Sequence, residues 1–297
     1  MRFFRLVIAG YRIGFRAADD GPELTFSSRF LNFADEEPDC DLIIHVHKGN
    51  QNVPDTAELV FKAPEAEEFD GHLLLKDSEF WSIWKGVNSL FMTTGFPLSQ
   101  GNRKGLLKFP DSETDWHLWT DEINELADPF EYPLDGLILY YLSVINRDIF
   151  IHASGVKAGN QGFLFSGISG KGKSTMAGIW KNNGADVIHD DRLIIRKGAD
   201  GYYMYNTPVY PGAMPASARI EKLFIIDHGA ENMILPLNGS AAVSQLISNC
   251  IQHAWNEKHI SQLVESVSTM CASIPVSKLI FRPDKSVIDL ILQDNGQ

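Results

Sequence analysis

The spacing of apolar and polar positions changes character near residue 130, and the two parts predict different kinds of element. Before that point the pattern is short and two-fold. Phe3 to Ile8, Tyr11 to Phe15, Cys40 to His47, Leu59 to Lys62 and His72 to Leu75 read as strands, because side chains of period two line one face of a pleated sheet. Turn-rich stretches such as Asp19-Asp20-Gly21-Pro22 and Lys48-Gly49-Asn50-Gln51-Asn52 separate them. The acidic runs Asp35-Glu36-Glu37 and Glu65-Ala66-Glu67-Glu68 read as solvated loops. Trp81, Trp84, Trp116 and Trp119 read as core and hairpin residues. The expectation for 1–130 is an antiparallel, strand-rich N-terminal domain, with substrate or partner recognition as its default role.

From Pro133 the period becomes helical: Leu134, Leu137, Ile138, Tyr141, Leu142 and Ile145 fall on one face. A buried-type strand, Asp148 to Val156, follows, and Lys157 to Gly162 turns into a second, Gly162-Phe163-Leu164-Phe165. Met176 to Trp180 opens a helix that Asn183-Gly184 stops. Strands are then expected at Ala185 to His189, Arg192 to Arg196, Tyr202 to Tyr205 and Lys222 to Asp227, with a Pro/Gly-rich loop from Asn206 to Pro215. Helices at Ala241 to Asn256 and His259 to Ala272, a strand at Val276 to Phe281, and a short helix from about Lys285 complete the pattern. Strands alternating with helices predict an α/β domain over 131–297.

Composition narrows the picture little: 297 residues, 44% hydrophobic and 22% charged, is ordinary for a globular protein. No apolar run approaches the ~20 residues needed to cross a bilayer, so no membrane partner is expected. The start, Met1 to Gly10, reads as a first strand and not a signal peptide, because Arg5 breaks its apolar stretch. Cys40, Cys250 and Cys271 are far apart and in no C-x-x-C spacing, which suits thiols in a reducing cytoplasm. A net charge of −12 argues against a nucleic-acid surface. Lys157, Lys171, Lys173 and Lys181 are the exception, since they gather in sequence where a polyphosphate ligand would go.

The chemistry concentrates in Gly167-Ile168-Ser169-Gly170-Lys171-Gly172-Lys173-Ser174, a full match to G-x-x-x-x-G-K-[ST]. Glycines let successive backbone N–H groups turn inward around phosphate oxygens, and a following helix adds its dipole. The expectation is that Gly167 to Ser174, with Thr175, binds a nucleoside triphosphate (ATP or GTP). Lys173 would reach the β/γ-phosphates and Ser174 would ligate Mg²⁺. Asp190-Asp191, at the end of a strand one helix later, are the candidates for metal contact and for positioning or deprotonating the acceptor.

Strand, His152, hairpin, strand, loop, helix, Asn-Gly, short strand and Asp-Asp-Arg together resemble HPr kinase/phosphorylase and the bacterial kinase-like proteins related to it. The nucleotide-binding core of phosphoenolpyruvate carboxykinase is similar more distantly. The likeness runs from about Phe150 to Ile195 and continues loosely through Thr207-Pro208 and Ile274-Pro275-Val276. It implies a phosphoenolpyruvate-carboxykinase/HPr-kinase-like P-loop core behind the strand-rich N-terminal region. It also implies that Asp191 is the base, that Asp190 organises metal and loop, and that His152 is an active-site histidine. HPr kinases assemble into oligomers, so the resemblance implies a homo-oligomer too. Two departures point to the related proteins over the HPr enzyme itself. The E-I-R-G-type run with its metal-binding Glu is absent after Asp191, and Asn206-Thr207-Pro208-Val209-Tyr210-Pro211-Gly212 stands in its place. Arg219 and Arg282 are the candidates for offsetting transition-state charge.

The leading expectation is a cytoplasmic ATP-dependent kinase acting on a hydroxyl of a protein Ser/Thr or a small molecule. A nucleotide-binding regulator without a competent base is the alternative from another class. A carboxykinase-like enzyme would want a second cationic cluster for its acidic substrate.

Overall fold

A computed structural model describes residues 1–69, 72–96, 103–109, 115–121, 126–253 and 255–294. It is a mixed α/β protein, rich in strands and sparing of helices, that packs as two compact units. The first unit is Met1–Tyr141 with Tyr210–Ala213, and the second is Leu142–Val209 with Met214–Gln297.

The strands of the first unit are β1 (Phe3–Ile8), β2 (Tyr11–Ala17), β3 (Glu23–Leu24), β4 (Ala34–Asp35), β5 (Leu42–Lys48), β6 (Glu58–Phe69), β7 (His72–Lys85), β8 (Leu90–Gly95), β9 (Lys104–Phe109), β10 (Asp115–Thr120) and β11 (Leu126–Ala127). Nine of them form one sheet in the order β4-β1-β2-β5-β10-β9-β8-β7-β6. The sheet is not wholly antiparallel as the sequence suggested, because β5 sits between β2 and β10 and pairs with both in parallel. The run 65–68, expected as a loop, has its backbone in β6, paired with β7. Burial alternates along β5 and β10, with Leu42, Ile44, Val46, Trp116 and Leu118 inward. Trp81 is buried with Trp116, whereas Trp84 and Trp119 are half-exposed.

Helix α1 (Leu134–Ile145) carries the chain into the second unit, whose elements are β12 (Ile149–Ala158), β13 (Gln161–Ser166), α2 (Lys173–Asn182), β14 (Asp186–His189), β15 (Arg192–Lys197), β16 (Tyr202–Asn206), β17 (Ser217–His228), β18 (Met233–Pro236), α3 (Gly239–Ile247), α4 (Glu257–Ser273), β19 (Val276–Phe281) and α5 (Ser286–Gln293). The strand expected from Lys222 is only the second half of β17, and β18 was not anticipated.

Both β12 and β17 are long enough to pair with three strands each. β12 pairs with β15 through its first half and with β13 and β14 through its second. β17 pairs with β16 early, then in parallel with β13 and β19. The pairings β12–β13, β13–β17, β17–β16, β16–β15 and β15–β12 therefore close a ring. Alternate side chains enter two cores. Leu164, Leu223 and Ile225 join a cluster with Leu246, Val267 and Met270 of α3 and α4. Phe163, Phe165, Phe224 and Ile226 join Met176 and Trp180 of α2 and Val287 and Ile291 of α5. Burial on both faces explains why β13 reads as a continuous apolar run.

The helix expected over Ala241 to Asn256 ends at Ile247; of that stretch, residue 254 lies outside the described residues. The chain leaves the helix because its backbone bonds to β12 instead: Ile251 N–H donates to Phe150 O at 2.7 Å, and His152 N–H to Asn249 O at 2.9 Å. Asn256 then caps α4, its side chain accepting from the N–H groups of Lys258 and His259. Among the described residues, no helix is long and apolar enough to cross a membrane. Cys40, Cys250 and Cys271 are free thiols.

Candidate functional site

The parallel strands β13, β17 and β19 end together, and the loop 167–172 lies at those carboxyl ends, the usual place for ligands in α/β sheets. Two glycines shape the loop. Gly170 and Gly172 have φ of +79° and +88°, a backbone that side chains with a Cβ rarely adopt. Gly172 is also crowded, since a Cβ there would lie 2.9 Å from His228 Cε1 and from Phe281 Cζ. Helix α2 starts at Lys173 with no side chain capping it, so first-turn N–H groups are left for a ligand or water. Its buried face (Met176, Ala177, Trp180) packs on β13, where Trp180 stacks on Phe163 at 5.1 Å.

Lys173 Nζ donates to Gly167 O at 2.7 Å and to Ile168 O at 3.3 Å, and burial pushes its pKa down. Lys171 points elsewhere: its Nζ donates to Asp227 Oδ1 at 2.8 Å. His228, next along β17, places Nε2 3.1 Å from Gly170 O. The end of β17 thus touches the crown of the loop through two consecutive residues.

Asp190 and Asp191 follow β14, which pairs with β12 close to His152. Asp191 Oδ1 is 3.5 Å from His152 Nδ1, and Oδ2 accepts from Arg192 Nε at 3.0 Å. His152, with Arg192 beside it, holds the Asp191 carboxyl down at about 2, outweighing burial. The turn is fixed from beneath by His189, a residue given no role by sequence reasoning. Its Nδ1 accepts the backbone N–H groups of Asp191 (2.9 Å) and Arg192 (3.2 Å). That bond needs a lone pair on Nδ1, and burial, pushing the His189 pKa down, favours the neutral ring.

One cavity of about 700 Å³ gathers most of these groups. Gly167, Ile168, Ser169, Gly170, Gly172, Lys173, Ser174 and Thr175 line it with His152, Asp190 and Asp191. His228 and the segment 248–250 complete the wall. Lys171 is the one residue of the motif outside this lining. Lys157 and Lys181 are also outside it, in β12 and in the last turn of α2, so the lysines close in sequence do not converge on the cavity. Arg219 and Arg282 are engaged away from the cavity, with Glu221 and Asp284 respectively. Ser174 and Asp190 offer oxygen donors to the same space, the ligand type a Mg²⁺ ion takes.

No protein-family model matches this sequence, and no curated protein matches it. Among solved structures it is similar to the HPr(Ser) kinase/phosphatase from Coxiella burnetii, with 13% identity over 48% of this chain and 85% of that one and a TM-score of 0.29. A likeness of that size specifies neither fold nor activity.

Proposed function

We propose that the second unit is a P-loop phosphotransferase that uses ATP or GTP to phosphorylate a hydroxyl. One observation carries the reading: the uncapped N-terminus of α2, with Lys173 and Ser174, faces the same cavity as Asp191 and its partner His152. The backbone N–H groups of the loop cradle the β-phosphate. Lys173 swings from the carbonyls of Gly167 and Ile168 to the β/γ-oxygens as they arrive. Ser174 and Asp190 would hold Mg²⁺, which would offset phosphate charge. Asp191, held ionised by His152 and Arg192, accepts the acceptor's hydroxyl hydrogen bond and takes the proton as the new oxygen–phosphorus bond forms, while the bond from the γ-phosphorus to the β,γ-bridging oxygen breaks and the nucleoside diphosphate leaves. His152 keeps that carboxylate oriented.

Among the described residues lining the cavity, Lys173 is the sole lysine and there is no arginine. A carboxylic acid acceptor would lack a second cation there, which favours a neutral hydroxyl over carboxykinase-like chemistry. The first unit is assigned acceptor or partner recognition, and a homo-oligomer belongs to the same proposal.

Calorimetry with Mg·ATP and Mg·GTP tests the reading. Saturable binding by the native chain, lost in Lys173→Ala and kept in Asp191→Asn, is expected. No binding of either nucleotide by the native chain overturns it.

A further inference from the structure

The segment 248–250, at the end of α3, forms part of the cavity wall. It is stitched to β12 at His152 and the residue before it: Cys250 forms a β-bridge with Ile151, and Asn249 O accepts the His152 N–H. The wall therefore keeps a fixed register with the residue that orients Asp191. It carries no charge, and among the described lining residues it holds the one hydroxyl besides those of Ser169, Ser174 and Thr175 in the loop and the start of α2, that of Ser248. The other nucleophiles there are less suited. Cys250 is 6% exposed, donates to Leu246 O at 3.3 Å, and is pushed by burial up to about 12, which disfavours the thiolate. His152 is engaged with Asp191, and His228 with Gly170 O. Ser248 is exposed, and its hydroxyl donates only to the carbonyl of Gln245, one turn back.

We propose that Ser248 is an internal phosphate acceptor, so that the protein phosphorylates itself at this position; the inference rests on the phosphotransferase reading. Rotation of the hydroxyl turns its proton from Gln245 O towards Asp191. The Ser248 oxygen attacks the γ-phosphorus and forms the new O–P bond. The bond from that phosphorus to the β,γ-bridging oxygen breaks, and the nucleoside diphosphate leaves with the electron pair. The proton passes to the Asp191 carboxylate and then to solvent. An acceptor held in the same cavity gains the rate advantage of an intramolecular reaction, which can reach effective molarities on the order of 10⁵ M.

The test is intact-protein mass spectrometry of the full chain incubated with Mg·ATP, with peptide mapping and nucleotide calorimetry on the same samples. The expected result is one acid-stable phosphoryl group on Ser248, acquired at a rate independent of protein concentration. It should be absent in Ser248→Ala and Asp191→Asn and retained in Ser244→Ala. Nucleotide binding without phosphorylation overturns this inference alone and leaves the phosphotransferase reading standing. Acid-labile phosphate on His152 or His228, phosphate on Ser169, Ser174 or Thr175, or a rate that scales with protein concentration also overturns it. Absence of nucleotide binding removes both readings.

Discussion

Lys171 donates to Asp227 Oδ1 at 2.8 Å, so the lysine between the two positive-φ glycines is turned away from the cavity that Lys173 enters. Two lysines two positions apart therefore have different work. Lys173 is half-buried over loop carbonyls, whereas the Lys171 pair is more than a third exposed and screened by solvent. Lys171→Ala should change nucleotide affinity by no more than about fivefold, whereas Lys173→Ala should weaken it by at least about tenfold, as expected for losing a charged hydrogen-bond donor. Calorimetry on the two variants checks the contrast.

Gly172 combines a φ of +88° with contacts that leave no room for a methyl group. Gly172→Ala should cost roughly 1–2 kcal/mol through left-handed strain. In a domain this size that lowers Tm by about 2–8 °C. Nucleotide binding should fall as well, because relief of the clash with His228 and Phe281 must move the loop. Thermal melts with and without Mg·ATP read both effects.

Asp191→Asn keeps the shape of the turn, because His189 binds the backbone N–H groups there and not the carboxylate. It removes the negative charge that faces His152 and the acceptor. Phosphoryl transfer should drop by about 10²–10⁴ with nucleotide affinity kept. Single-turnover kinetics beside calorimetry separate the two.

In the first unit, burial raises the Asp128 carboxyl to about 6, although its oxygens accept the N–H groups of Ser27 and Phe130. A carboxyl whose folded pKa lies above its unfolded value favours the fold while protonated. Its contribution is full below about pH 4 and is lost as pH rises through about 6, at most on the order of 3 kcal/mol. The stability difference between the native chain and Asp128→Asn should therefore shift against the native chain across that window and stay flat above it. Denaturant titrations from pH 4 to 8 measure this difference.

What could be read from the sequence was what local spacing encodes. The glycines of the loop, the apolar face of α2 and the run Val276 to Phe281 each announce themselves within a few residues. Long-range pairing left no such trace. Ala241 to Asn256 looks like one helix, yet Asn249, Cys250 and Ile251 give their backbones to β12, a tertiary preference that overrides propensity. The place of β5 between two parallel partners depends on strands far away in the chain. His189 was missed because a ring that binds the backbone of Asp191 and Arg192 has no distinguishing motif. The lysines misled in the opposite direction, since nearness in sequence said nothing of where Lys157 and Lys181 point along β12 and α2.

The ring of strands in the second unit also governs when the site can come into being during synthesis. The strand that feeds the loop lies between β12 and β17, and Leu164 pairs with Leu223. A nascent chain that has already emitted the entire glycine-rich loop still lacks one flank of the strand beneath it. Until Ser217–His228 emerges, Phe165 has no Phe224 to stack on, and the crown of the loop has neither Asp227 nor His228 to hold it. Ribosome-bound chains truncated before β17 should expose an unanchored apolar hairpin, a segment that calls for chaperone cover, while chains that extend past β19 should protect it from protease.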